Sequence, residues 1–163
     1  RIEIEIATFL NSVSSGDISE DTSNKIKGMY KIIGEIESLG DSGDSISRIL
    51  SRRNAHKKSF DTEIISKLLA MVALVDEAYD VMISNLVSAN EGVLANISNA
   101  YKVEDKINVL RNDLRELEID EIENNIKSYQ NSVYYIDIVN ELEKMGDYMI
   151  NVSQELERAF SKK

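Results

Sequence analysis

The chain contains no proline, and this absence narrows its choice of fold more than any other feature of the sequence. Proline and glycine are the residues that break helices, and only seven glycines occur among the 163 residues. Long helices can therefore run without interruption. The sequence predicts an all-α protein.

Apolar residues recur at helical spacing in five stretches that polar clusters separate. We predict five helices, over residues 1–14, 21–55, 61–88, 92–118 and 121–161. The third and fourth are expected to join with little interruption near Asn90. These lengths suit an antiparallel helical bundle. Because 42% of the residues are hydrophobic, the chain can bury one sizeable core, and we expect a single domain over residues 1–163.

The same spacing selects a buried face and a start for individual helices. In the third helix, the residues expected to face the core are Ile65, Leu68, Val72, Val75, Tyr79 and Met82. Asp21 or Thr22 is expected to cap the N-terminus of the second helix.

The charge of the chain limits its partners. A formal net charge of -10 repels phosphate backbones and anionic lipid head groups, so we expect no nucleic-acid partner. No apolar run reaches the roughly 18 residues of a membrane span, and no signal-peptide pattern is present, so we expect no direct membrane insertion by this segment. The chain begins with arginine inside an apolar pattern, which indicates a piece of a longer protein that could itself be a membrane protein.

An internal repeat relates two segments of the chain, residues 31–50 and residues 137–156. Seven of the twenty aligned positions are identical, and conservative replacements keep the apolar face in register. The identical positions include the glutamates Glu35 and Glu141, which are counterparts in the two copies. The chain is therefore expected to contain two copies of one helical unit.

Each copy carries a pair of carboxylates four residues apart, Glu37 with Asp41 and Glu143 with Asp147. Residues at this spacing project from one helix face, so like charges lie close together and a half-buried pair calls for a cation. The alternative is a solvated helix face, on which acidic pairs are common. Asp76 and Asp80 form such a pair without a repeat partner, and we interpret them as solvated.

Both copies also keep a glycine directly before the aspartate, Gly40 and Gly146. Glycine inside a helix costs about 1 kcal/mol relative to alanine, so its presence in both copies favours a function. We expect each glycine to allow a neighbouring helix or ligand to come close.

The residue types available limit the chemistry of a site. Without cysteine, and with one histidine, all-oxygen ligation favours hard ions such as Mg, Mn, Ca or Fe. No nucleophile with a base, no P-loop and no dinucleotide fingerprint is present, so we predict that the chain is not an enzyme. The single histidine, His56, is interpreted as a surface residue that complements the dipole near a helix end.

The segments ELEKMGDYMINVSQEL and EIESLGDSGDSISRIL resemble the third-helix signature of the PhoU family. In that family the acids of the signature face a second acidic motif on the preceding helix, and the segment VEDKIN matches that place. The resemblance implies a metal-binding cluster of four residues in the second copy, Glu104, Asn108, Glu143 and Asp147. In the first copy it points to Glu5, Glu37, Asp41 and Asp44, with Arg1 where an acid would be expected.

PhoU proteins consist of two three-helix units, and this chain is similar to five of those six helices, with the first helix missing. Residues 1–56 would be the truncated first repeat and residues 57–163 the second. The serine- and asparagine-rich signature looks most like the C-terminal cytoplasmic PhoU-like domain of bacterial sodium/phosphate cotransporters.

That likeness implies a regulatory domain on the cytoplasmic side of the bacterial inner membrane. Its partner would be an upstream transmembrane transporter portion of the same polypeptide, which carries out the symport of sodium and phosphate. Two alternatives stay open, a stand-alone PhoU-type regulator of phosphate uptake and phosphate-starvation signalling, and a helical scaffold without metal. The sequence also leaves open whether the domain forms a homo-oligomer.

Overall fold

The computed structural model describes residues 2–57, 59–124 and 129–160, and these residues form helices without any strand. The five helices are α1 (Ile2–Ser14), α2 (Glu20–Ala55), α3 (Thr62–Asn90), α4 (Ser98–Glu123) and α5 (Tyr129–Phe160). They pack as a bundle, and the predicted all-α fold is confirmed.

Helix α5 lies at the centre of the bundle. It packs against α2, α3 and α4, whereas α1 packs against α2 within the described ranges. Lys31 of α2 contacts Glu155 of α5, and Ser42 contacts Glu141, so residue numbers rise along one helix as they fall along the other. The two helices are therefore antiparallel.

The repeat is visible in the packing of α2 against α5. The amide of Asn151 donates a hydrogen bond of 3.1 Å to Glu35, and the hydroxyl of Ser42 donates one of 3.0 Å to Glu141. Glu35 and Glu141 are counterparts in the repeat, and each accepts a hydrogen bond from the opposite helix. The two copies thus face each other across the α2–α5 interface in an approximately two-fold arrangement.

Two helix starts differ from the prediction. Helix α2 is capped by Ser19, not by Asp21 or Thr22, because the Ser19 hydroxyl accepts a hydrogen bond from the Thr22 amide. Helix α4 begins at Ser98, not at residue 92, because Gly92 has a positive φ of 70° that ends the helical path.

The connection between α3 and α4 is a folded turn. The amides of Val93 and Leu94 donate hydrogen bonds to the Ser88 carbonyl, and Leu94 and Ile97 are buried in the core. The predicted joining of the third and fourth helices is therefore wrong. The predicted start of the fifth helix at residue 121 is also wrong, since residues 121–123 belong to α4. Residues 125–128 and 161 of the prediction lie outside the described residues.

The buried face of α3 is partly mispredicted. Val75 and Met82 are buried as expected, but Ile65, Val72 and Tyr79 are exposed. The buried residues are Ile64, Met71, Val75, Ala78, Met82, Asn85 and Ala89. Apolar residues surround much of α3, so helical spacing is compatible with two different apolar stripes, and only one of them faces the core.

None of the described helices combines the length and apolar content needed to cross a membrane.

The two repeated glycines lie in different surroundings. A Cβ atom added at Gly146 would lie 2.9 Å from Cδ1 of Ile107 on α4, whereas at Gly40 it would meet no atom within 4 Å. The expected close approach of a helix therefore occurs at Gly146 and not at Gly40. Gly40 instead lines an open groove between α1 and α2.

We expect substitutions at these two glycines to change stability in opposite directions. Gly40→Ala should raise the free energy of unfolding by up to about 1 kcal/mol, because alanine restricts the unfolded chain and meets open space. Gly146→Ala should lower it by about 1 kcal/mol, because the added Cβ would meet the side chain of Ile107, which is buried and has little room to shift. Urea unfolding measures both values.

Ile107→Val provides the control, because it removes the Cδ1 atom that a Gly146 side chain would meet. In a double-mutant cycle, Ile107→Val should recover stability in the Gly146→Ala background relative to its effect in the wild type. Equal effects of the two alanine substitutions, or no coupling with Ile107, would contradict the close contact as the reason for Gly146.

Candidate functional site

The four residues predicted for the second copy come together on one face between α4 and α5. On α4 the amide of Asn108 donates a hydrogen bond to Glu104, and on α5 Glu143 and Asp147 lie one helical turn apart. All four side chains are half-buried, and the charges of Glu104 and Asp147 both act on Glu143. We call these four residues together with Arg111 the α4–α5 cluster.

Arg111 joins the two helices within this cluster. One guanidinium nitrogen lies 3.2 Å from a carboxylate oxygen of Glu143, and the two side chains are 22% and 18% exposed. The same nitrogen donates a hydrogen bond of 3.5 Å to the side-chain oxygen of Asn108. An ion pair at this level of burial is screened less by water than a surface pair.

Sequence reasoning missed Arg111, although a signal for it was present. Arg111 follows Asn108 by three residues and Glu104 by seven, so all three lie on one side of α4. A basic residue in the acidic row of a helix that faces a second acidic pair is a candidate for charge compensation. Arg115 lies one turn further along and also acts on Glu143.

The surroundings of Glu143 and Asp147 disfavour the charged forms of their carboxyl groups. Burial raises the pKa of Glu143, the neighbouring Asp147 carboxylate raises it further, and Arg111 and Arg115 oppose the change. Burial also raises the pKa of Asp147, again against the effect of Arg111. The two arginines therefore only partly compensate the negative charge, and the cluster would gain from additional positive charge.

The donor atoms of the α4–α5 cluster suit a hard metal ion, since they are carboxylate and amide oxygens. In the present arrangement, however, Arg111 contacts both a Glu143 oxygen and the Asn108 oxygen. Within the described ranges, no group of three or more His, Cys, Asp or Glu residues is placed to hold a metal ion. The cluster is an ion-pair network here, and the metal site stays a prediction.

The predicted residues of the first copy do not form a comparable cluster. Glu37 and Asp41 are exposed, Asp44 pairs with Arg48 at 2.6 Å on the surface, and Glu5 is exposed on α1. Glu37 and Asp41 line an open groove between α1 and α2. In the second copy α4 packs on α5 beside Glu143, whereas in the part of the chain that the structure describes Glu37 and Asp41 lie beside the open groove. Arg1 lies outside the described residues.

His56, Asp76 and Asp80, which the sequence also singled out, and the buried Tyr135 lie outside the α4–α5 cluster. His56 follows the last residue of α2 and is exposed, as expected, and its Nδ1 lies 2.5 Å from the hydroxyl oxygen of Tyr134 on α5. Asp76 and Asp80 are exposed, as the solvated-face interpretation predicted. Tyr135 is fully buried, and burial raises the pKa of its phenol well above the usual range.

Asp147→Asn should make stability less dependent on pH. Because the pKa of Asp147 is raised above its usual value of 3.8, the folded state favours the protonated form more than the unfolded chain does. Its contribution to stability is complete below pH 3.8 and is lost as the pH rises through the folded-state pKa. In metal-free protein, Asp147→Asn should therefore be more stable than the wild type at pH 7, and the gain should shrink toward pH 3.8.

The repeat counterpart supplies the control for this experiment. Asp41 is exposed, so Asp41→Asn replaces a surface side chain and should leave the stability close to that of the wild type. Urea unfolding in the presence of a chelator, repeated across the pH range, measures the differences. A gain for Asp147→Asn that is the same at every pH would contradict the electrostatic explanation.

The chain was compared with models of protein families, with curated proteins and with solved structures, and nothing in these three comparisons matches it. The resemblance to the PhoU family therefore rests on the motifs and the repeat, and membership of that family stays a prediction.

Proposed function

We propose that this chain is a regulatory domain of a sodium-dependent phosphate transporter and binds a hard metal ion at the α4–α5 cluster. The observation that carries the proposal is the half-buried pair of Glu143 and Asp147, whose charges Arg111 only partly compensates. The repeated acidic signature, through its resemblance to the PhoU family, supports phosphate transport as the context. The proposal involves no catalysis by this chain.

The residues that would hold the ion are Glu104, Asn108, Glu143 and Asp147. An Mg, Mn, Ca or Fe ion would supply the positive charge that the cluster lacks. Arg111 would compete with the ion, because Arg111 already contacts Glu143 and Asn108, two of the residues that would hold the ion. Release of Arg111 would remove one contact between α4 and α5. Binding or loss of the ion would thus change the packing of these two helices.

The regulated partner in this proposal is an upstream transmembrane portion of the same polypeptide, with this domain on the cytoplasmic side of the bacterial inner membrane. Helix α5 carries Glu143 and Asp147 and packs against both α4 and α2. A change in the position of α5 at the α4–α5 cluster would therefore act directly on α2 of the first repeat.

A second candidate function is that of a helical scaffold without metal. The specific observation in its favour is the ion pair between Arg111 and Glu143, which already neutralises one member of the acidic pair. The exposed acids of the first copy, Glu37 and Asp41, also behave as ordinary surface charges in this arrangement. The two candidates differ in how stability responds to metal ions.

Thermal unfolding of metal-stripped protein with Mg, Mn, Ca and ferric iron added in turn tests the metal site. An ion that binds the folded state stabilises it by RT ln(1 + [L]/Kd), about 2.7 kcal/mol at a hundredfold excess over Kd. We expect one or more ions to raise the Tm of the wild type. Glu143→Ala/Asp147→Ala should abolish the rise.

Two further variants sharpen this experiment. Glu37→Ala/Asp41→Ala removes the matching acids of the first copy and should keep the full rise in Tm. Arg111→Gln removes the competing cation and should increase the rise, although the metal-free variant should be less stable than the wild type. No rise with any ion, together with a Glu143→Ala/Asp147→Ala variant more stable than the wild type, would support the scaffold instead.

Phosphate uptake tests the regulatory role. We expect that producing this chain in bacterial cells with a sodium/phosphate cotransporter changes sodium-dependent phosphate uptake, and that Glu143→Ala/Asp147→Ala abolishes the change. Uptake unaffected by the wild-type chain would contradict the proposal. A response of phosphate-starvation signalling with unchanged uptake would point to the stand-alone regulator.

A further inference from the structure

A polar pocket with a volume of about 340 Å³ lies between α2 and α5. Every described residue that lines it belongs to one of these two helices, and none of them is a member of the α4–α5 cluster. We call it the α2–α5 pocket. It is therefore a second place at which the two repeats meet and present polar side chains.

Basic side chains gather at the α2–α5 pocket, although the chain as a whole is acidic. Arg48, Arg52 and Lys144 line it, and they outnumber the two acids of the lining, Asp137 and Glu141. The formal net charge of the chain is -10, so the protein as a whole repels anions. The lining of the pocket, in contrast, favours an anion.

The three basic residues differ in how far they are already neutralised. Lys144 pairs with Glu141 at 2.7 Å, and Arg48 pairs with Asp44 at 2.6 Å. The side chains of Arg48 and Asp44 are 77% and 59% exposed, so their surface pair contributes little to stability. Arg52 forms no ion pair within the described ranges, and its guanidinium is available to an anion.

The internal repeat shows what the counterpart of Arg52 binds. At the shift that relates the two copies, Ile49 and Arg52 of α2 correspond to Glu155 and Arg158 of α5. The Glu155 carboxylate contacts Arg158 and lies 3.1 Å from the ammonium nitrogen of Lys31. Ile49 is buried and has no carboxylate. Arg52 therefore lacks the internal anion that its counterpart has, and a bound anion would take its place.

The size and the other polar groups of the pocket indicate a ligand larger than a bare ion. Small-molecule sites have volumes of roughly 300–1,000 Å³, and this pocket lies at the lower end of that range. The lining includes the hydroxyl of Ser45 and the amide of Asn140, which can donate hydrogen bonds. It also includes Asp137, whose carboxylate can accept hydrogen bonds from hydroxyl groups. A small molecule with a phosphate and several hydroxyl groups matches both kinds of lining.

We propose that the α2–α5 pocket binds a small phosphate monoester whose organic part carries hydroxyl groups. Arg52 and Lys144 bind the phosphate from the two helices, because guanidinium and ammonium groups donate charge-assisted hydrogen bonds to phosphate oxygens. Asp137 accepts hydrogen bonds from the hydroxyl groups. This binding needs no metal ion at the α4–α5 cluster and does not depend on the function proposed above.

Isothermal titration calorimetry of the whole, metal-stripped chain with ribose 5-phosphate, ribose and inorganic phosphate tests the proposal. The titrations use low ionic strength, because salt screens exposed charges. We expect ribose 5-phosphate to bind more tightly than inorganic phosphate, and ribose not to bind. Arg52→Gln should weaken the binding of ribose 5-phosphate at least tenfold.

Arg158→Gln is the matched control, because it removes the same charge at the repeat counterpart of Arg52. Both arginines are exposed, so neither variant should unfold the chain. The affinity of Arg158→Gln for ribose 5-phosphate should stay within twofold of the wild type. Glu143→Ala/Asp147→Ala should also bind this ligand as the wild type does, which separates the outcome from that of the metal experiment.

Asp137→Asn tests the part of the pocket that would bind the hydroxyl groups. It removes a carboxylate acceptor and should therefore reduce the preference for ribose 5-phosphate over inorganic phosphate.

Three results would overturn the proposal. Absence of binding to the wild type would exclude this class of ligand. An equal loss in Arg52→Gln and Arg158→Gln would mean that the ligand responds to net charge alone. Equal affinities for ribose 5-phosphate and inorganic phosphate, unchanged by Asp137→Asn, would mean that the pocket binds a bare anion and not a monoester.

Discussion

The burial of α5 is the constraint on which the rest of the structure depends. Helix α2 packs against α5 on one side of the bundle and α3 and α4 pack against it on the other, while α2 itself packs against neither α3 nor α4 in the described ranges. Residues of α5 that have almost no exposure, among them Tyr135, Val139 and Val152, form the middle of the core. The two repeats are joined because α2 of the first repeat packs against α5 of the second.

Helix α5 also carries Glu143 and Asp147 of the α4–α5 cluster, and its enclosure explains why these acids lie between helices. A helix enclosed by three others has little free surface, so its polar residues lie at the seams between neighbours. Glu141 receives a hydrogen bond across the seam with α2, and Glu143 is paired with Arg111 across the seam with α4. Two glutamates only two residues apart thus have different roles, one in packing and one in a charged cluster.

The helical fold was predictable because the absence of proline and the spacing of apolar residues act locally. The repeat led to Glu143 and Asp147, and the PhoU resemblance led to their facing residues Glu104 and Asn108. The spacing along α4 places Arg111 on the same side as Glu104 and Asn108, but its pairing with Glu143 was missed because that pairing depends on which helices meet. The buried face of α3 was partly mispredicted for the same reason.

The position of α1 has a consequence for how the molecule opens. Only Leu10 of α1 is fully enclosed, and the main apolar core contains no residue of this helix. Helix α1 is held in place mainly by its packing against α2, and it contributes little to the group of helices around α5 that unfolds as one unit. Its backbone amides should exchange with solvent long before those of α5, so that the wall of the α1–α2 groove opens and closes while the rest of the bundle stays folded.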